Sequence, residues 1–154
     1  MNIENQKLKS LLYQKCIEYA DERINRIQSA LDAAGESGND ETKSSSGDKH
    51  ETGRAMMQLE QEKNSKQLFE AMELKKMLNK INPNQKSLTA SLGSLVITNK
   101  GNFYISISGG KIEIDAAVYF AVSPLSPIGT KLKGLSKTAR FDFNGQAYEI
   151  EQIY

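Results

Sequence analysis

A chain of 154 residues with 20 Lys and Arg against 19 Asp and Glu has a formal net charge of +1, so the total argues for neither a strongly basic nucleic-acid binder nor an acidic mimic. With 25% charged and 38% hydrophobic residues, it reads as an ordinary water-soluble protein of one domain or two small ones. Cys16, the single cysteine, excludes an internal disulfide and fits a reducing compartment. Met1-Asn2-Ile3-Glu4 lacks the apolar core of a signal peptide, and no apolar run approaches the ~18 residues that span a bilayer. A cytoplasmic protein without membrane association is expected.

Ile3 to Ala34 and Thr52 to Ile81 are long, charged and free of proline. In the first, Ile17, Ala20, Ile24, Ile27, Leu31 and Ala34 recur at spacings of three and four, which predicts a helical seam. Ala71, Leu74, Leu78 and Ile81 repeat the pattern in the second. At 1.5 Å per residue, segments of ~30 residues are on the order of 45 Å long, and their similar lengths predict an antiparallel hairpin. The seam weakens around Asn64 and Ser65. Gly35 to Gly47, containing Ser44-Ser45-Ser46, predicts an irregular loop at the tip. Glu36, Asp40, Glu41, Asp48 and Glu51 make that tip negative, whereas Lys131, Lys133, Lys137 and Arg140 form a run without an acid.

Asn82-Pro83-Asn84-Gln85-Lys86-Ser87 is polar, and its proline stops the helix. The chain therefore divides into an arm over residues 1–81, a linker over 82–87 and a body over 88–154. In the body, β-branched and aromatic clusters predict strands at Leu92 to Thr98, Phe103 to Ser108, Ala117 to Val122, Arg140 to Phe143 and Tyr148 to Ile153. Asn144-Gly145 predicts a two-residue hairpin turn with positive φ at both positions, and Ile128 to Leu132 predicts a helical turn. The expected fold class is α+β, with a helical hairpin followed by a small antiparallel sheet over a compact core.

Asp48 and Glu51 carry two readings that can coexist. Asp-x-x-Glu at a helix start is a capping box, yet a capping carboxylate keeps an outward-facing oxygen that can hold a metal. His50, the lone histidine, has no second histidine or cysteine nearby to build a zinc site. Cys16 lies among Leu11, Leu12 and Ile17, which favours packing over nucleophilic chemistry. Met56, Met57, Met72 and Met77 fit seam filling. Gly101, Gly109 and Gly110 do not form a phosphate-cradling loop. The two Ser-Pro steps of Ser123-Pro124-Leu125-Ser126-Pro127-Ile128-Gly129 predict an extended, exposed segment that serves either as a stiff connection or as a binding surface.

Together these pieces resemble the bacterial Gre transcript-cleavage factors, over both parts of the chain. Gly47, Asp48 and Glu51 match that family's tip motif, approximately Gly-Asp-x-x-Glu-Asn-Ala-Glu-Tyr. Ser126, Pro127, Ile128, Gly129, Leu132 and Gly134 match its Ser-Pro-Ile-Gly/Ala-x-x-Leu-x-Gly motif, and Gly145-Gln146-Ala147-Tyr148-Glu149-Ile150 resembles its terminal hairpin. Thr52, Gly53, Arg54 and Ala55 depart from the tip motif, Thr138-Ala139 replaces a Gly-Asp step, and the amino-terminal signature is not found before Tyr13.

The resemblance implies an antiparallel coiled-coil arm with an FKBP-like body. It further implies a monomer that is not itself an enzyme and docks at the secondary channel of RNA polymerase. Ser126, Pro127, Ile128, Gly129, Lys131 and Lys133 would contact the polymerase. Asp48 and Glu51 would help hold a Mg²⁺ shared with it, so that backtracked RNA is hydrolysed near its nascent 3′ end; no cofactor is implied for the isolated chain. The alternative within the resemblance is a non-cleaving channel binder that modulates transcription. An FKBP-like isomerase is disfavoured by a body without tryptophan and too short for a deep aromatic pocket.

Overall fold

The computed structural model describes the backbone of residues 3–42 and 47–154, and the side chains of residues 4–35 and 52–154. Two long helices, α1 (Ile3–Thr42) and α2 (Gly47–Asn79), precede six strands: β1 (Leu95–Thr98), β2 (Gly101–Ile105), β3 (Gly110–Ile114), β4 (Ala117–Val122), β5 (Arg140–Phe143) and β6 (Gln146–Ile153). A short helix, α3 (Pro127–Leu132), lies between β4 and β5. The fold is α+β, and the helical hairpin and sheet follow the expected order. The chain divides into two compact units, one of Met1–Tyr19 with Lys76–Tyr154 and the other of Ala20–Lys75. The first unit thus contains the base of both helices as well as the sheet.

In the Ala20–Lys75 unit, Ala20 and Ile27 of α1 and Asn64 and Ala71 of α2 are buried, and Lys75 Nζ donates to Asp21 Oδ1. Asn64 occupies the weak point of the seam and is buried as an amide where a coiled coil would place an apolar side chain. The expected irregular loop over 35–47 is helical in part, and its residues 43–46 lie outside the described residues. α1 continues through Gly35 to Thr42, and α2 starts at Gly47. Once a helix is nucleated, each added residue gains a hydrogen bond, and an internal glycine costs only about 1 kcal/mol.

The sheet order is β3-β4-β2-β1-β6-β5, antiparallel except for β2 with β4. The body therefore has one parallel pairing and one strand, β3, beyond the sequence expectation. Alternation along β2 makes it central. Phe103 and Ile105 join Ala90, Val96, Leu132 and Ile150 in one core, while Tyr104 and Ser106, also buried, fall on the opposite parity. On that second side, Ser106 Oγ lies 3.5 Å from Cys16 Sγ of α1. At Asn144-Gly145, φ is 51° and 75°, as the hairpin expectation requires.

The helix base is fixed by polar contacts as well as packing. Tyr13 Oη donates to the Leu78 carbonyl at 3.1 Å. Lys9, only 1% exposed, donates Nζ to the Gln85 carbonyl at 2.8 Å. Burial lowers the Lys9 pKa, and burial raises those of the Cys16 thiol and the Tyr104 phenol. The signs oppose each other. Cys16 and Tyr104 contribute stability that is present below their unfolded pKa values and is lost as pH rises from about 9 upward. Lys9 carries a penalty that is complete below its folded pKa and is relieved as pH rises toward its unfolded value. Lys9→Met is therefore expected to raise the melting temperature at pH 7, since the exposed Gln85 carbonyl can turn to water. That advantage should shrink toward pH 10.5 in a series of thermal melts. A difference independent of pH would show that Lys9 is not held against its charge.

Candidate functional site

Asp48 and Glu51 are the second and fifth residues of α2, inside the helix rather than at its cap position, so the capping-box expectation does not hold. Their side chains, and that of His50, fall outside the described residues. Among the described residues, no group of three or more His, Cys, Asp or Glu is placed to hold a metal ion, a statement that does not include the tip. Beyond it, Arg54 and Ala55 are exposed along α2 and Gly53 is half-buried.

The Ser-Pro segment is built with definite roles. Ser126 caps α3: its Oγ accepts from the Gly129 N–H at 3.1 Å and donates to the Ser123 carbonyl at 2.6 Å. Pro127 occupies the first turn, where a missing N–H costs nothing. Gly129 is buried, and a Cβ there would sit 2.0 Å from the Ser123 carbonyl oxygen. The segment is thus a tightly closed turn rather than an extended strap.

That geometry redistributes the expected contact residues. Ile128 is partly buried and packs on the body core, and Gly129 is enclosed, so neither offers a free surface. The exposed apolar side chain is Leu125, at 80%, which sequence reasoning passed over in favour of Ile128. The periodicity of so short a helix does not reveal which residue faces the sheet. Pro127, Lys131, Lys133 and Lys137 are exposed as well. Arg140, the last cation of the run, faces Glu149 across β5 and β6 at 3.8 Å, a solvent-exposed pair of small energetic weight. The stretch from Leu125 to Lys137 thus presents one exposed leucine and three exposed lysines.

A second feature, on the helical hairpin, was not expected. Arg23, Arg26, Ile27 and Ala30 of α1 and Asn64 and Gln67 of α2 line a groove of about 370 Å³. It brings Arg23 and Arg26 together with two amide residues, the buried Asn64 and Gln67. The only sequence signal was the missing apolar residue at Asn64, which reads as weakness in a seam and gains meaning only when α1 supplies the opposite wall.

Five aromatic side chains of the body, Phe103, Phe120, Phe141, Phe143 and Tyr148, pack on one another. Phe141 and Tyr148 stack with centroids 5.0 Å apart, and Phe103 and Phe143 meet Tyr148 at 6.4 and 6.3 Å. No helix among the described residues is long and apolar enough to cross a membrane. Against known proteins, no family model, no curated protein and no solved structure matches this chain.

Proposed function

We propose that this chain is a Gre-like elongation factor with an FKBP-like body, which binds RNA polymerase at its secondary channel and stimulates the polymerase's own cleavage of backtracked RNA. The observation that carries the reading is the position of Asp48 and Glu51 at the start of the return helix of a hairpin. The Ser126-Pro127-Ile128-Gly129 turn, farther along the same chain, adds to it. In this reading the protein is not an enzyme alone. Asp48 and Glu51 supply carboxylate oxygens suited to Mg²⁺, and the metal shared with the polymerase supplies charge neutralisation for attacking and leaving oxygens when bound. The body supplies affinity through Leu125 and the exposed Lys131 and Lys133. A second reading, a non-cleaving channel binder, is favoured by Arg54, a cation where the family motif carries no charge of that sign.

The test is a cleavage assay on a backtracked elongation complex from the same organism, with binding measured in parallel. Leu125→Asp places a charge at the exposed centre of the proposed contact, and loss of such an anchor costs about 2 kcal/mol or more, or roughly thirtyfold in affinity. The variant should keep its melting temperature, because Leu125 is outside the core. Unchanged affinity in the folded variant would remove this surface from the docking site.

A further inference from the structure

The sheet has two terminal strands, and they are not equivalent. β5 lies against α3, and its Arg140 already faces Glu149. β3 has β4 as its one neighbour in the sheet, and Gly110, Lys111 and Glu113 are exposed. The β3–β4 hairpin closes through Asp115 and Ala116, both at positive φ of 50° and 65°. This two-residue turn makes Ile114 and Ala117 a pair that exchanges both backbone hydrogen bonds. Alternation then directs Ile112 toward Tyr119 on β4 and leaves the N–H and C=O groups of Lys111 and Glu113 pointing off the sheet. The opposite edge of β4 agrees in phase, since the Val122 carbonyl accepts from the Ser106 N–H.

The sequence of this edge is self-complementary. An antiparallel two-fold pairing centred on Ile112 sets Lys111 opposite the second copy's Glu113, and Glu113 opposite its Lys111. These are the residues whose backbone groups face outward, so each Lys–Glu couple is also a hydrogen-bonded pair with Cα atoms about 5.5 Å apart. The Lys111–Glu113 ion pair within one strand, at 3.4 Å and with both side chains more than half exposed, costs little to exchange for cross-strand partners. Ile112 meets its own copy on the other face. Moving the two-fold by one residue, a two-residue slip of the strands and the nearest registers that keep the outward backbone groups paired, would place Lys111 or Glu113 across from its own copy, so like charges oppose the alternatives.

We infer that β3 is a self-association edge, through which two copies of this chain join their sheets antiparallel about Ile112. The occupant is a second copy rather than a foreign strand because the charge order satisfies itself only in that symmetric register. This departs from the expected monomer and does not depend on the polymerase reading. Strands of five residues bury less than a stable interface of roughly 1,200 Å², so the dimer is weak, with a dissociation constant on the order of 100 μM.

Sedimentation equilibrium of the full chain over a concentration series tests the edge. Wild type should show reversible dimerisation. Lys111→Glu alone and Glu113→Lys alone should each weaken it at least about tenfold by setting like charges across the two-fold. An equimolar mixture of the two single variants should regain wild-type association as a heterodimer, because one strand then carries two acids and the other two bases. Both positions are exposed, and matching melting temperatures would show that the variants fold. A wild type monomeric to millimolar concentration overturns the inference, as do single variants that dimerise like wild type or a mixture that fails to restore association.

Discussion

Asp48→Asn is expected to leave polymerase affinity unchanged and thermal stability nearly so while reducing stimulated RNA cleavage by about a hundredfold or more. Asparagine keeps the size of aspartate, and at the second residue of α2 the charge it lacks is worth only about 0.3–1 kcal/mol to the helix N-terminus, so the substitution isolates the charge. What it removes is the negative charge offered to Mg²⁺. Charge stabilisation by a metal in such a reaction amounts to several kcal/mol, and each 1.36 kcal/mol is about tenfold in rate. Glu51→Gln should act in the same direction, less severely if Glu51 orients water through an outer-shell contact. Raised Mg²⁺ should partly restore both if occupancy is what was lost. Equal stimulation by wild type and Asp48→Asn would remove Asp48 from the metal-binding role. Binding and slowed elongation by both proteins, without cleavage, would establish the non-cleaving reading instead.

Gly129→Ala should destabilise the body by about 3 kcal/mol or more, at the upper end of what an added methyl costs in a packed site. Its Cβ would lie 2.0 Å from the Ser123 carbonyl oxygen, and that carbonyl is not free to retreat. It accepts from the Ser126 N–H at 3.0 Å and from the Ser126 hydroxyl at 2.6 Å, so moving it dismantles the cap of α3. The same displacement disturbs Leu132 and Ile128, which α3 contributes to the core. A fall of roughly 12–24 °C in melting temperature is expected for a domain of this size. A variant within about 1 kcal/mol of wild type in denaturant titration would show that the turn yields without cost.

The two experiments bear on different parts of the motif match. Gly129 and Ser126 have a structural role in α3, whatever partner the surface meets. Their presence therefore supports the turn directly and the docking site only through the residues it exposes, Leu125, Lys131 and Lys133.

Local rules written into the chain determined the hairpin of long helices, the stop at Pro83, the Asn144-Gly145 turn and the helical turn after Ser126. Each depends on periodicity, fixed φ or side-chain capping, all of which act over a few residues. β3 escaped because Lys111-Ile112-Glu113-Ile114 is a short, half-polar run, and its turn, Asp115-Ala116, lacks the glycine that marks such hairpins. It is a strand because β4 lies alongside it. Gly35 did not end α1, since one unfavourable propensity is smaller than the gain from continuing a formed helix.

Only the tertiary structure decided which way the side chains of α3 and the turn before it face, placing Ile128 on the core and Leu125 in solvent. It also buried Lys9 beneath the Gln85 carbonyl and set Arg23 and Arg26 across from Asn64 and Gln67. These outcomes depend on which distant segment supplies the opposing wall. Burial is a property of two surfaces brought together, whereas a cap or a turn is a property of one short stretch of chain.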